Sequence, residues 1–121
     1  MHKKPSSSKI KELICAKVFY FAAVYSASIN RISVRDQKSR WGSCSKKGNL
    51  NFNFRIIFLP GLLFDYVVVH EICHLKEFSH SRKFWGLVEK QIPDYKEIRK
   101  KLRNYKITRS NIIECRGSES N

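Results

Sequence analysis

The chain is poor in acid, in methionine and in residues that cross-link or anchor. Four cysteines in 121 residues are too few for a disulfide scaffold. No two of them stand as Cys-x-x-Cys, which argues against a cysteine-only zinc site and a thioredoxin-like redox motif. No run of 18 uncharged apolar residues occurs, so no segment reads as a membrane span. The single methionine is Met1. Internal repeats and low-complexity tracts are missing. Ten Asp and Glu stand against 24 Lys and Arg, a formal charge of +14 that favours anionic partners and says nothing about fold. The rest is ordinary: 42% apolar and 28% charged residues suit one globular domain with a single modest core.

Residues 1–8 read as a flexible polar arm that ends in helix-capping serines. Lys3 and Lys4 ahead of an apolar stretch over residues 13–29 make a weak signal-peptide pattern. Lys11, Glu12 and Lys17 break it, and Ile10, Leu13, Ile14, Lys17, Phe21 and Val24 fall roughly at helical spacing. An amphipathic helix over 9–29 is therefore the favoured reading. A short strand is expected over 30–37, then a turn-rich stretch over 39–45, then hairpin chemistry at Lys46-Lys47-Gly48-Asn49. Leu50, Phe52, Phe54, Ile56 and Phe58 alternate with Asn51, Asn53 and Arg55, which predicts a strand with one buried face, ended by Pro60. Residues 62–77 are apolar nearly all round and predict a central buried helix. Two further helices follow, from Ser79 or His80 to 91 and over 94–105, separated by Pro93. Residues 106–121 read as a basic polar tail without structure. The fold class is α+β: an N-terminal helix, a small antiparallel sheet, the central helix and two C-terminal helices.

The central helix carries the chemistry. His70-Glu71-Ile72-Cys73-His74 is H-E-x-x-H, and positions i and i+4 share a helix face, so two imidazoles converge on one point. Two neutral imidazoles suit Zn²⁺, and a carboxylate one residue on reaches a metal-bound water without ligating the metal. Val67, Val68, Val69, Ile72 and Leu75 make the helix apolar, and burying these polar groups there without a partner costs several kcal/mol. For the third ligand, His80 follows His74 at H-x5-H. That is the metzincin interval, but Glu77 stands where metzincins have Gly, and no interior Met exists for a Met-turn, so the chain is not a metzincin. Glu89 and Glu97 are alternatives, as on the later helix of gluzincins. His80 is preferred, because Phe78-Ser79-His80-Ser81 reads as a helix stop and restart that lets the imidazole swing back. Phe84 and Trp85 read as core anchors for that turn, and Cys73 as a small buried apolar residue. Cys15, Cys44 and Cys115 read as free thiols of a reducing cytosol, which makes the chain cytoplasmic.

The linked motifs Arg40-Trp41-Gly42-Ser43-Cys44-Ser45, Gly48-Asn49-Leu50-Asn51-Phe52-Asn53, the stretch from Asp65 to Leu75, and His80-Ser81-Arg82-Lys83-Phe84-Trp85 resemble the YgjP-like zinc metallopeptidases, relatives of the WLM and SprT-like proteases. The Pro93-Asp94-Tyr95-Lys96 step also fits, and the similarity covers residues 9–105. The resemblance implies a zincin-like endopeptidase domain, with one zinc per chain on His70, His74 and His80, Glu71 as the catalytic carboxylate that activates a zinc-bound water, and a peptide or protein substrate. It corresponds to the C-terminal catalytic half of typical members, with the arm over 1–8 where their N-terminal half stands.

Two other readings are open. An inactive shortened fragment of the peptidase is one. The other is a nucleic-acid-associated zinc protein: residues 1–60 hold 12 Lys and Arg against 2 acids, and Lys96, Arg99, Lys100, Lys101, Arg103, Lys106 and Arg109 cluster near the C-terminus. Such a surface could bind nucleic acid weakly through phosphates, although a solvated basic helix face is the favoured reading. Arg40 and Trp41 are candidates for substrate contact, and either the turn over 40–45 or the strand from Leu50 could pair with an extended peptide.

Overall fold

The computed structural model describes residues 5–107 and 114–115. Helix α1 (Ser7–Tyr25) starts two residues earlier than the sequence suggests, because the Ser6 side chain accepts from the Lys9 N–H. Ser7 and Ser8 therefore belong to the helix rather than to an arm. The helix stops at Tyr25, short of residue 29, because Ser26 turns left-handed (φ 53°) and its N–H reaches back to the Ala22 and Ala23 carbonyls. Ile10, Ile14, Val18, Phe21, Ala22 and Tyr25 are its buried face. Leu13 and Val24, expected on that face, are exposed, as are Phe19 and Tyr20. Among the described residues no helix is long and apolar enough to cross a membrane.

Strand β1 (Arg31–Arg35) is followed by β2 (Gly42–Cys44) and β3 (Asn49–Asn53). The sheet order is β1-β3-β2, with β1 parallel and β2 antiparallel to β3. The sheet is thus mixed, a correction to the expected antiparallel one. Alternation along a strand reports which face is buried and carries no information on the direction of its neighbour. β2 lies inside the stretch over 39–45 read as turn-rich. Gly48 (φ 90°) closes the β2–β3 hairpin; its carbonyl accepts from Asn30 N–H, and a Cβ there would lie 3.3 Å from the Asn30 nitrogen.

The expected strand over 50–58 is cut at Asn53, after which Phe54–Phe58 form a 3-10 helix. The cause is a buried polar knot. The Asn53 side chain is fully buried: its Nδ2 donates to the Gln37 and Arg40 carbonyls, and its Oδ1 accepts from the Arg55 N–H. Arg55, read from the sequence as outward-facing, is buried as well and pairs with Asp36 at 2.8 Å. This knot pins the loop over 36–41, which carries Arg40 and Trp41.

Helix α2 (Gly61–Cys73) is the hub, in contact with α1, β2, the 3-10 helix, α3 (Arg82–Gln91) and α4 (Tyr95–Leu102). Leu63, Phe64, Val67, Val68, Val69 and Ile72 are all buried on it, as an all-round apolar sequence requires. α2 ends at Cys73 rather than 77, and α3 begins at Arg82 with the Ser81 hydroxyl as its cap, so the helix does break between the two elements. α4 ends at Leu102. The Tyr25 hydroxyl donates to the Leu87 carbonyl at 2.6 Å and ties α1 to α3 across the core. Lys106, placed in the unstructured tail by the sequence reading, lies in β4 (Tyr105–Lys106), which pairs antiparallel with β5 (Glu114–Cys115). The rest of that tail, Arg109 included, lies outside the described residues, as does the side chain of Cys115.

Candidate metal centre and cleft

His70 and Glu71 sit on the last full turn of α2, and His74 is its C-cap. His80 comes from the connecting segment before α3. The three imidazoles meet: their ring centroids are 4.9, 5.2 and 4.7 Å apart, and one donor nitrogen from each lies within 4.8 Å of the others. His74 Nε2 and His80 Nε2 are 3.1 Å apart. Zinc with nitrogen ligands at about 2.0–2.1 Å in a tetrahedron sets neighbouring nitrogens at about 3.3 Å, so this spacing suits one ion. Neither Glu89 nor Glu97 belongs to the cluster.

Two of the imidazoles, His74 and His80, are held in a state fit for ligation. Burial, and then the neighbouring His70, lower the pKa of His74; burial, then His70 and His74, lower that of His80. Both are therefore neutral near pH 7 with a lone pair free. His74 Nδ1 is buried and makes no well-formed hydrogen bond, with the backbone of Phe78 and Glu77 beside it. A proton on Nδ1 pointing there leaves Nε2 for a metal. His70 Nδ1 lies 3.1 Å from Glu71 Oε2. The donor set and its geometry fit a divalent ion of the zinc type.

Aromatic rings fix the cluster. Phe84, fully buried, stacks on His74 (4.5 Å, 28°) and meets His70 and His80 edge-on. Trp85 stacks on His80 (5.7 Å, 21°) and on Tyr95 (5.0 Å, 12°). Phe84 and Trp85 thus anchor the His80 turn, as the sequence indicates.

The cluster opens into a cleft of about 680 Å³ whose walls include Arg40, Trp41, β2, Tyr66, Arg99 and Arg103. Glu71 reaches it from below, only 6% exposed. Gly42 in β2 passes directly over Glu71: a Cβ there would sit 3.2 Å from Glu71 Cγ, from Phe52 Cδ1 and from the Asn51 carbonyl oxygen. Burial, and then the Glu71 charge, push the Cys44 thiol up to about 11, and burial pushes Cys73 up to about 11, so neither offers a thiolate near pH 7. Cys15, Cys44 and Cys73 are free thiols.

Three wall residues escaped the sequence reading. Tyr66 stands one turn before His70 on the same helix face, a spacing that could have found it. Burial outweighs the lowering effect of the Arg99 charge and raises its hydroxyl to about 12, so it stays protonated. Arg99 and Arg103 were read only as members of a basic cluster, whereas the structure turns these two into the cleft.

No curated protein matches the chain. Among solved structures, the metallopeptidase zymogen abylysin of Pyrococcus abyssi superposes with a TM-score of 0.66 at 24% identity, covering 74% of this chain and 90% of that one. The metallopeptidase zymogen jannalysin of Methanocaldococcus jannaschii gives 0.60 at 24% identity, covering 84% and 96%. At this identity the likeness is one of fold. The YgjP-like metallopeptidase domain model matches residues 3–105, the whole of α1 to α4 with the three-stranded sheet, and so the chain belongs to the YgjP-like family of metallopeptidases.

Proposed function

We propose that the protein is a cytoplasmic zinc endopeptidase whose working domain spans residues 9–105, with one zinc held by His70, His74 and His80 and with Glu71 as the catalytic carboxylate. The observation that carries this reading is the convergence of three imidazoles on one point beside a buried carboxylate, at the floor of an open cleft. The ion supplies a Lewis-acidic charge that acidifies water and polarises a carbonyl. Glu71 takes the proton from the attacking water and delivers it to the leaving nitrogen as the peptide C–N bond breaks. Tyr66, neutral in the cleft wall, offers a hydroxyl donor. β3 has neighbours on both sides, so of the two segments that could pair with an extended peptide only β2, an edge strand of the sheet among the described residues, offers an edge to it, and not the strand from Leu50.

Elemental mass spectrometry of the dialysed protein tests the metal centre. About one zinc per folded chain is expected, and His74→Ala or His80→Ala should lose it. A folded wild-type chain without metal overturns the assignment. Gly42→Ala tests the support of Glu71. The new methyl requires its neighbours to give by a few tenths of an ångström, and the Glu71 side chain yields more readily than the Asn51 backbone or the buried Phe52 ring. Peptide cleavage should fall about tenfold or more, because small misplacements of a reacting group are costly. Stability should change by no more than about 1–3 kcal/mol, and zinc content should hold.

A further inference from the structure

The cleft is electrostatically one-sided. Three arginines line it, Arg40, Arg99 and Arg103, and Glu71 is the one acidic side chain in its wall among the described residues. Arg99 and Arg103 lie four residues apart at the C-terminal end of α4, so they share a helix face with Tyr95, four residues before. None of the three arginines is paired with a carboxylate among the described residues. Arg99 lies with its guanidinium carbon 5.0 Å above the centre of the Trp85 ring, the ring that also stacks on His80. A guanidinium held over an aromatic face is orientationally fixed, and its edge is free to make two parallel hydrogen bonds to a carboxylate. Arg99 and His80 both contact the Trp85 ring and both line the cleft, so a group bound by Arg99 sits near the histidine cluster.

We propose that this cleft selects peptides bearing a carboxylate beside the bond to be cut, with Arg99 and Arg103 as the residues that bind it. The inference rests on the peptidase reading of the same cleft and names its substrate class. The carboxylate has two possible sources, an Asp or Glu side chain or a free peptide C-terminus, and both offer the same planar anion to the arginine fork. A nucleic-acid surface would spread its charges along a convex face at phosphate spacing; Arg99 and Arg103 instead converge in a concavity beside the histidines.

The test is equilibrium binding to the intact zinc-loaded chain, with blocked peptides whose central amide is replaced by a non-hydrolysable –CH2–NH– link. A set carries Glu or Gln at successive positions around that link, and a further Gln peptide ends in a free carboxylate instead of an amide. Calorimetry should show the Glu peptide binding about 10- to 100-fold tighter than its Gln twin at one position, the effect of a charge-assisted hydrogen bond. In the double variant Arg99→Gln and Arg103→Gln, both exposed positions, that ratio should fall to about one. Arg99→Lys, which keeps the charge and loses the fork, should fall between. Preference for the free-carboxylate Gln peptide alone assigns the source to the peptide terminus.

Equal affinity for all peptides overturns the proposal, and so does a Glu preference that survives the double variant. Cleavable versions separate the two readings. Hydrolysis without acid preference sinks the selectivity and leaves the peptidase standing. Selective binding without hydrolysis of any peptide sinks the peptidase reading and leaves the carboxylate site.

Discussion

Replacing Glu71 with Gln is expected to cut peptide hydrolysis by about a hundredfold to ten-thousandfold, the usual contribution of a positioned general base. Gln is nearly isosteric with Glu and cannot take a proton, so the cavity beneath Gly42 stays filled. Zinc content should remain that of the wild type, because the three imidazoles of the cluster are untouched. The two readouts belong together. Loss of cleavage with loss of metal would mean that Glu71 supports the centre through its contact with His70 Nδ1 rather than acting as the base. Undiminished cleavage by the Gln variant would remove Glu71 from the mechanism altogether.

The second large effect is expected at Phe84. Its ring is fully buried and touches all three imidazoles, one by stacking and two edge-on. Truncation to Ala removes that ring and leaves a cavity, at a cost of about 3–5 kcal/mol. Domains of this size are stable by about 5–15 kcal/mol in total, so Phe84→Ala should unfold readily in urea and melt well below the wild type. Phe84→Leu keeps much of the volume, and its loss in urea titrations should be clearly smaller. Chelator competition on the Leu variant should show weakened metal retention, because the flat face that orients His74 is gone. An Ala variant as stable as the wild type would show that the Phe84 ring does not contribute to the stability of the core.

Several features were legible in the residues themselves because their causes are local. The i, i+4 spacing of His70 and His74 puts both on one face of any helix. The lack of an interior methionine removed one class of metal site. Serines before an apolar run marked the cap of α1, and Gly48 marked the hairpin, since few other residues accept its φ; the start of α3, expected at Ser79 or His80, lies at Arg82 behind the Ser81 cap. The break at Phe78-Ser79-His80-Ser81 followed from loss of the apolar pattern, and it frees His80 from either helix.

Other features depended on partners distant in the chain. Leu50 to Phe58 alternates throughout, yet the strand ends at Asn53, because Asn53 and Arg55 are drawn inward to bind Asp36 and the loop carbonyls. Leu13 and Val24 have the right spacing for the core but face outward, since the buried side of α1 is set by where α2 lies. The parallel pairing of β1 with β3, and the very existence of β2, were invisible in patterns that report only alternation. The basic cluster near the C-terminus looked uniform in sequence, and packing alone divided it.

The sequence by itself determined the metal-type motif and the helix that bears it, because both are fixed by spacing within a few residues, and it left His80 preferred over Glu89 and Glu97 as the third member until the structure brought His80 to the pair. The tertiary structure alone decided that Gly42 covers Glu71, that Phe84 holds the imidazoles, and that Arg99 and Arg103 face the cleft. Those are contacts between elements far apart in the chain, and their geometry is set by how helices and strands dock, which no local periodicity encodes.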